Sequence, residues 1–402
     1  MERRNTISAV CFLAALAAGF LLVAGSFFGG TGALEGLLKQ AWTDRDLQAV
    51  LEGAENAVNQ DLDRDHLFIQ LYGGVQRLSL RRVVEDPVEG NAVVKLSNGC
   101  LNFISIKGIY NAAPVAAANA AATAAFAQDL QVLGIPYRFL LAPQKIQPGV
   151  DLLPAGLSEN GNENADAFLA GLEEAGVPYT DLRPLFVETG RYGDYFFRTD
   201  HHWKPEAAFY TWQTLVPLLE EAYGFSMDPA LTAEDRWDTT VLEDFFLGSQ
   251  GKRVGSLYAG VDDFTVYAPR FETELTYTCA ASGMERRGAF SQSVCFPERI
   301  AQRDWFSANP YTYYAGGDYP LARIVNHKNP EGPRVVLLRE SFACALTPFL
   351  SLSCSELATI DLRHFQGNLM ETIRTLEPDL VLTLYTASTT GLDTMFVFDT
   401  TE

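Results

Sequence analysis

Two adjacent histidines stand out among the five in the 402-residue sequence, in the run Thr199-Asp200-His201-His202-Trp203. An Asp two residues before a His can accept a hydrogen bond from the imidazole, fix its tautomer and stabilise its protonated form. Asp200 and His202 therefore suit the orienting and basic positions of a triad that activates a serine. Packing is the alternative role for an Asp-x-His pair, and both roles stay open on composition alone.

Ser341 is the candidate nucleophile. It follows the apolar run 335–338, which predicts a strand, and it precedes a predicted helix. Such a turn places a serine at the carboxyl edge of a parallel sheet, where the sites of open α/β folds form. The free N–H groups at the start of a helix can stabilise an oxyanion. A plain N-cap serine is the alternative, because Ser is favoured at that position.

A metal site built from Asp200, His201 and His202 is a further interpretation. Adjacent histidines point in different directions, and no further histidine or acidic cluster at ligand spacing completes such a site. The sequence also has no Cys-x-x-Cys pair. We therefore predict neither a metal ion nor another cofactor.

The overall charge argues against one class of partner. The formal net charge is −20, whereas a nucleic-acid binder needs a basic surface that neutralises phosphates. No nucleic-acid partner is therefore predicted. The same charge disfavours tight binding to anionic lipids or anionic polymers in the absence of a local basic patch.

Helices and strands alternate from about residue 112 onward. The predicted strands are 137–141, 178–182, 334–338 and 380–385, and the predicted helices are 112–133, 162–175, 204–223 and a segment that ends near residue 350. Continuous apolar strands that alternate with helices form a parallel sheet covered on both faces. The predicted fold class is α/β.

The sequence before this domain predicts a membrane anchor. Arg3 and Arg4 precede an uncharged, mostly apolar run at 7–28, which can cross a hydrocarbon core about 30 Å thick and places the rest outside the cytoplasm. A cleaved signal peptide is the alternative, although no clear cleavage site follows the run. We predict a cytoplasmic stub and anchor at 1–28, a helical stalk at 29–65 and the main domain at 66–402, at the cell membrane.

The main domain carries two predicted additions. Strand signals at 66–106, including the run 67–78 broken by Gly73-Gly74, predict a small N-terminal sheet. An aromatic-rich insertion is predicted at about 225–330, where aromatics could stack on sugars but more often form core. Five cysteines follow the apolar run, and Cys279 and Cys295 could bridge in an oxidising compartment.

The Asp-His-His-Trp tetrad resembles the signature of the bacterial DHHW proteins. These are relatives of the alginate O-acetyltransferase group within the SGNH-hydrolase-like superfamily. The order of Asp and His before Ser matches that group rather than ordinary SGNH esterases. The resemblance covers most of the chain from about residue 65 and includes these blocks: Tyr72-Gly73-Gly74-Val75-Gln76-Arg77, Ala142-Pro143-Gln144-Lys145, Asp181-Leu182-Arg183-Pro184, Gly248-Ser249-Gln250-Gly251-Lys252-Arg253, Pro348-Phe349-Leu350 and Asp361-Leu362-Arg363.

The resemblance implies an SGNH-hydrolase-like (flavodoxin-like) parallel sheet with helices on both faces. Ser341 would be the nucleophile, His202 its general base and Asp200 the residue that orients His202. Thr386, after the last strand, is a candidate for the remaining oxyanion donor. The predicted substrate-binding residues are Lys145, Trp203 and Arg339.

The implied activity is transfer or hydrolysis of an acyl group on a cell-envelope glycan, with a membrane-bound O-acyltransferase as the partner that supplies the group. The block Arg339-Glu340-Ser341 departs from the Gly-Asp-Ser usual in the family. Arg339 replaces a turn glycine, where a side chain can crowd the pocket. This departure favours the alternative, a catalytically inactive module of the same fold that binds glycan or a partner.

Overall fold

The computed structural model describes residues 66–86, 91–105, 112–392 and 394–398. The chain divides into two units, Met1–Tyr72 and Gly73–Glu402, and the described part of the first unit is residues 66–72. The predicted anchor and stalk lie outside the described residues and stay predictions. In the part of the chain that is described, no helix has both the length and the apolar character that crossing a membrane requires.

The helices and strands are numbered here in chain order. The helices are α1 (Leu67–Leu78), α2 (Ala113–Val132), α3 (Gly161–Glu174), α4 (Arg183–Glu188), α5 (Pro205–Tyr223), α6 (Ser249–Val254), α7 (Ser256–Ala259), α8 (Phe290–Ser293), α9 (Ala343–Leu352) and α10 (Leu369–Leu376). The strands are β1 (Val83–Asp86), β2 (Asn91–Lys95), β3 (Leu101–Ser105), β4 (Tyr137–Ala142), β5 (Tyr179–Asp181), β6 (Trp237–Phe246), β7 (Asp262–Pro269), β8 (Leu275–Cys279), β9 (Met284–Gly288), β10 (Leu321–Asn326), β11 (Arg334–Arg339), β12 (Glu356–Ile360) and β13 (Leu380–Thr386).

An eight-stranded sheet forms the centre of the second unit, in the order β5-β4-β13-β11-β12-β10-β8-β9. The first five strands pair in parallel, whereas β10, β8 and β9 pair antiparallel. The predicted α/β class is confirmed, but the sheet is mixed rather than wholly parallel. Only residues 280–283 join β8 to β9, and so short a connection can join antiparallel strands but not parallel ones.

Alternate residues of the central strands face opposite sides of this sheet. In β11, Val335 and Leu337 belong to one apolar core with helices α5 and α9. Val336 and Leu338 belong to a second core with helices α2, α3 and α10. Because helices cover both faces of these strands, the strands are continuous apolar runs in the sequence.

The carboxyl ends of the parallel strands lie at one edge of the sheet. Strand β11 ends at Arg339, and helix α9 begins at Ala343. Ser341 therefore stands in the turn between strand and helix, at the edge where the sites of open α/β folds form.

Helix α1 occupies a stretch that was predicted as strand, so that prediction is wrong. Its apolar residues recur at helical spacing, and the pair Gly73-Gly74 lies inside the helix rather than in a turn. A β-carbon at Gly73 would lie 1.9 Å from the carbonyl oxygen of Val254. The glycine is therefore needed for the close approach of two backbones.

The small N-terminal sheet and the insertion have separate structures. Strands β1, β2 and β3 form a three-stranded antiparallel sheet. Within 225–330, β6 and β7 pair as a ribbon, whereas β8, β9 and β10 extend the large sheet, so the insertion is partly sheet rather than an addition between sheet elements. Cys279 and Cys295 are buried free thiols, not the pair expected to be able to bridge.

Candidate active site

The Asp200–His202 segment forms the tip of a closed loop. An isolated antiparallel bridge pairs Phe196 with Trp203, and the Lys204 N–H donates to the Tyr195 carbonyl at 2.7 Å. Pro205 then starts helix α5, where the fixed φ of proline suits the first turn. Contacts on both sides of Asp200–His202 thus hold the loop closed.

A continuous series of hydrogen bonds joins Asp200, His202 and Ser341. His202 Nδ1 lies 2.5 Å from Asp200 Oδ1, and His202 Nε2 lies 2.8 Å from Ser341 Oγ. When Nδ1–H donates to the carboxylate, Nε2 is left as the acceptor for the serine hydroxyl. The structure therefore brings together three residues that the sequence assigns to one site, although 139 positions separate the histidine from the serine.

Asp200 is buried and accepts hydrogen bonds on both oxygens. Besides the imidazole, Oδ1 accepts the His202 N–H at 3.1 Å, and Oδ2 accepts the Ser249 N–H at 2.6 Å. Burial acts to raise the pKa of this carboxyl group, but the neighbouring histidines and these hydrogen bonds outweigh it and hold the pKa well below its usual range. Asp200 is therefore ionised at neutral pH and can stabilise a protonated His202.

Gly248 allows the backbone of the Gly248–Arg253 block to lie against Asp200. A β-carbon at this position would lie 2.1 Å from Asp200 Cβ, although the φ of −76° is open to any residue. Thr199 holds this backbone in place. Its Oγ1 accepts the Gly248 N–H at 2.8 Å and donates to Asp262 Oδ2 at 2.6 Å. The Gly248–Arg253 block thus packs directly against Asp200 and supports its position.

Tyr311 contacts both halves of the site. Its hydroxyl donates to the Phe342 carbonyl at 2.9 Å, and Trp203 Nε1 donates to the same carbonyl at 2.9 Å. The Tyr311 ring stacks on the His202 ring, with centroids 3.9 Å apart and planes at 16°. Sequence reasoning missed Tyr311, because one tyrosine in an aromatic-rich segment carries no signal that distinguishes it.

The three residues predicted to bind substrate are buried. The exposed fractions of Lys145, Trp203 and Arg339 are 2%, 0% and 1%. Lys145 Nζ donates to the Leu101 carbonyl at 2.6 Å and to Gln250 Oε1 at 2.8 Å. These side chains support the loop and the turn, and their direct contact with a substrate stays a prediction that this burial does not favour.

The Arg339 side chain points into the protein rather than into the space beside Ser341. Its Nη1 lies 3.0 Å from Asp318 Oδ1, and its Nη2 donates to the Gly317 carbonyl at 2.5 Å. Asp318 also pairs with Arg363 at 3.0 Å. The departure from glycine therefore does not crowd the nucleophile.

The turn also shows which backbone donors are available near Ser341. Glu340 Oε1 accepts the Thr386 N–H at 2.8 Å, so Thr386 is engaged and does not fit the expected role of oxyanion donor. Burial raises the pKa of Glu340, although the hydrogen bonds from Thr386 oppose this. The N–H groups of Ser341 and Phe342 make no hydrogen bond within the described residues, and they lie at the start of helix α9.

His201 lies beside the series rather than in it. Its Nδ1 is 3.0 Å from Ser249 Oγ, and its ring centroid is 3.8 Å from that of His202. Ligand atoms of Asp200, His201 and His202 lie within 4.8 Å of one another, so a metal ion is geometrically possible. To bind such an ion, His202 would have to give up its contact with Asp200 or its contact with Ser341, because both of its ring nitrogens are engaged.

Two protein families match overlapping parts of the chain. Residues 105–241 match the family described as SGNH hydrolase-like domain, acetyltransferase AlgX. Residues 185–358 match the family described as DHHW protein. Residues 185–358 are thus similar to the DHHW proteins. The resemblance drawn from the sequence is thereby confirmed, and Asp200, His202 and Ser341 all lie within the DHHW match.

One curated relative is the alginate biosynthesis protein AlgX of Pseudomonas aeruginosa. It is 31% identical to the chain over 147 residues. The match covers 36% of this chain and 29% of the relative, so the chain spans less than a third of the relative's length.

Two solved structures share the fold of this chain. PatB1 of Bacillus cereus, solved with a sulfonyl adduct, has a TM-score of 0.64 at 20% identity, over 79% of this chain and 99% of PatB1. A DHHW family protein from Eubacterium siraeum has a TM-score of 0.55 at 19% identity, over 78% of this chain and 97% of that protein. At these identities the likeness establishes the mixed α/β fold alone.

Proposed function

We propose that the chain is an extracytoplasmic O-acyltransferase or esterase that acts on a cell-envelope glycan through Ser341, His202 and Asp200. The observation that carries the proposal is the series of 2.5 and 2.8 Å contacts that joins them. A serine hydroxyl is a poor nucleophile unless an adjacent base takes its proton. His202 Nε2 is positioned to do so, and Asp200 is positioned to stabilise the charge that results.

In the first half-reaction Ser341 Oγ attacks the carbonyl carbon of an acyl ester while its proton moves to His202 Nε2. The oxyanion that forms is stabilised by the N–H groups of Ser341 and Phe342, which have no acceptor within the described residues. The tetrahedral intermediate then expels the donor alkoxide, which takes the proton from His202. Ser341 is left acylated.

In the second half-reaction a sugar hydroxyl or water attacks the acyl-Ser341 ester and gives its proton to His202. Collapse of the second intermediate returns the proton to Ser341 Oγ. A sugar hydroxyl yields an O-acylated glycan, and water yields the free acid. The same residues therefore serve a transferase or an esterase, and the choice depends on which acceptor reaches Ser341.

The comparisons support the acyl group and the class of acceptor. The match to the family described as acetyltransferase AlgX favours acetyl, and the name of the Pseudomonas relative, an alginate biosynthesis protein, favours a polysaccharide. Membrane attachment through residues 7–28 and supply of the acyl group by a membrane-bound O-acyltransferase belong to the same proposal. The alternative of an inactive binding module rested on Arg339, and the burial of that side chain with Asp318 gives it no support.

The test is covalent labelling of the full chain in detergent with phenylmethylsulfonyl fluoride. We expect a sulfonyl group on Ser341 and parallel loss of 4-nitrophenyl acetate hydrolysis. Ser341→Ala should lose the label and several orders of magnitude of turnover. Its thermal unfolding should change little, because the variant loses a single hydrogen bond worth about 1 kcal/mol.

Ser226→Ala is the matched control. Ser226 is exposed and follows helix α5, whose 19 residues extend roughly 28 Å from the loop that carries Asp200. This variant should keep both label and turnover. Full turnover in Ser341→Ala would remove Ser341 from the mechanism and favour the binding module.

A further inference from the structure

A second feature lies at the carboxyl edge of the sheet, on the side of Ser341 where β12 follows β11. A cleft of about 780 Å³ is lined by the β8–β9 hairpin, the first residues of β10 and the segment 364–367 that follows β12. A volume of this size is within the usual range of ligand sites, about 300–1,000 Å³. The neighbouring block 361–363 belongs to the family resemblance, and the proposed reaction gives it no role.

The cleft adjoins the candidate active site through one side chain. Ligand atoms of His364, which lines the cleft, lie within 4.8 Å of those of Asp318 and Asp361. Asp318 in turn contacts Arg339 at 3.0 Å, two residues before Ser341. The cleft therefore lies at the same edge of the sheet as Ser341, and the end of β12 separates β11 from the strands that line it.

The lining has the chemistry that a sugar ring requires. His364 and Gln366 are exposed, and their side chains make no hydrogen bond to another described residue, so both are available to hydroxyl groups. Phe365 is half-buried, and its ring lies against Gly367, where a β-carbon would be 2.6 Å from the ring. This contact fixes the ring as an apolar surface for the C–H face of a sugar.

The charges that line the cleft are balanced. Arg323 pairs with Glu356 at 2.7 Å, and Glu285 is the acidic residue of the lining. The carboxylates of Asp318 and Asp361, beyond the cleft, are paired with Arg339 and Arg363. The lining therefore offers no surplus of positive charge to an anionic polymer, and uncharged sugars fit it better.

We propose that this cleft binds the sugars that flank the reacting residue of an uncharged glycan chain, with His364, Phe365 and Gln366 as contacts. The proposal rests on the proposed function, because it assigns the polymer to a subsite beside Ser341. It implies that an oligosaccharide reacts better than a single sugar. Each flanking sugar in the cleft contributes binding that a monosaccharide lacks.

The experiment measures one ratio in each variant of the full chain. The substrates are the pentasaccharide of β-1,4-linked N-acetylglucosamine and the monosaccharide. Each is tested as an acetyl acceptor with 4-nitrophenyl acetate as the donor, and each is tested in O-acetylated form as a substrate for ester hydrolysis. The ratio is kcat/KM for the pentasaccharide over kcat/KM for the monosaccharide, from product masses. A ratio within one variant cancels any loss of folded protein or of triad activity.

We expect a ratio well above one in the wild type and a fall of roughly three- to tenfold in Phe365→Leu, which keeps the apolar packing but removes the ring. Gln366→Ala should also lower the ratio, by roughly two- to tenfold. Gln128→Ala is the matched control, since Gln128 is exposed in a different cleft of the same fold. It should leave the ratio unchanged.

Failure of the cleft proposal can be distinguished from failure of the proposed function. A ratio near one in the wild type, or equal ratios in the wild type and Phe365→Leu, would overturn the proposal that the cleft binds flanking sugars. Either result would leave the proposed function standing. Absence of both transfer and hydrolysis in the wild type, with no sulfonyl label on Ser341, overturns the proposed function and the cleft with it.

Discussion

Substitution of Gly248 by alanine tests whether the backbone at Gly248 positions the Asp200 carboxylate for the proposed catalysis. The added methyl group would lie 2.1 Å from Asp200 Cβ and 2.6 Å from Asp200 Oδ2. Nonbonded carbon atoms prefer about 3.5–4.0 Å, so the two segments must separate by roughly 1.5 Å. The backbone of Gly248 itself is unstrained for alanine, because its φ is −76°.

The expected effect falls on turnover. A misplacement of about 1 Å in a catalytic group can cost about 100-fold in rate, which corresponds to roughly 2.7 kcal/mol of activation free energy. We therefore expect kcat for 4-nitrophenyl acetate to fall by about two orders of magnitude. Stability should fall as well, by about 1–3 kcal/mol for an overpacked site.

The assay compares kcat, the rate of sulfonyl labelling at Ser341 and the thermal midpoint in two glycine variants. Gly74→Ala is the control, because the nearest atom to its new methyl group is Leu257 Cδ1 at an ordinary 3.4 Å. Alanine inside helix α1 should stabilise by up to about 1 kcal/mol and leave turnover unchanged. A kcat equal to that of the wild type in Gly248→Ala would refute the inference that the backbone at Gly248 positions Asp200.

Three further predictions concern other parts of the chain. His202→Ala should lose several orders of magnitude of turnover and His201→Ala should keep most of it, because only His202 contacts Ser341; equal damage in both, reversed by a divalent metal, would replace the triad with a metal site. Burial lowers the pKa of Lys145 to about 8, so the unfolded chain holds this proton up to about pH 10 and the folded chain releases it earlier. The free energy of unfolding of the wild type relative to Lys145→Met should therefore rise between pH 8 and 10 in urea titrations, and a flat difference would contradict the burial of a lysine that titrates there. Finally, the protein should fractionate with membranes and lose that property when residues 1–28 are deleted; wild-type protein in the soluble fraction would contradict the anchor.

The central elements were predictable because burial on both faces leaves a plain pattern in the sequence. Strands β4, β11 and β13 were placed within about a residue of their observed bounds, since each is a continuous apolar run. Strand β9 was missed because it reads Met-Glu-Arg-Arg-Gly and lies at the edge of the sheet. Helix α1 was read as strand because a glycine pair signals a turn more often than a close helix contact.

The residues of the candidate site also differ in whether a local sequence pattern could identify them. Asp200 and His202 are two residues apart and Ser341 sits at a strand–helix turn, so local spacing was sufficient to group them. Tyr311 and Gly248 act through contacts with residues about 31 and 48 positions away, and no local pattern encodes such contacts. Arg339 was expected to crowd the pocket because its partner, Asp318, could not be identified before the strands were placed.

The position of strand β13 has a consequence for the biosynthesis of this protein. Residues 380–386 lie between β4 and β11 in the sheet, so these two strands gain their common partner only after residues 380–386 have been made. A nascent chain carries Asp200 and His202 long before Ser341, and even with Ser341 present the sheet beneath it lacks its middle strand. Domains generally fold as units during synthesis, and here the sheet of that unit is incomplete until β13 has been made. Ribosome-bound chains that end before residue 380 should therefore hydrolyse no ester, even though they contain Asp200, His202 and Ser341.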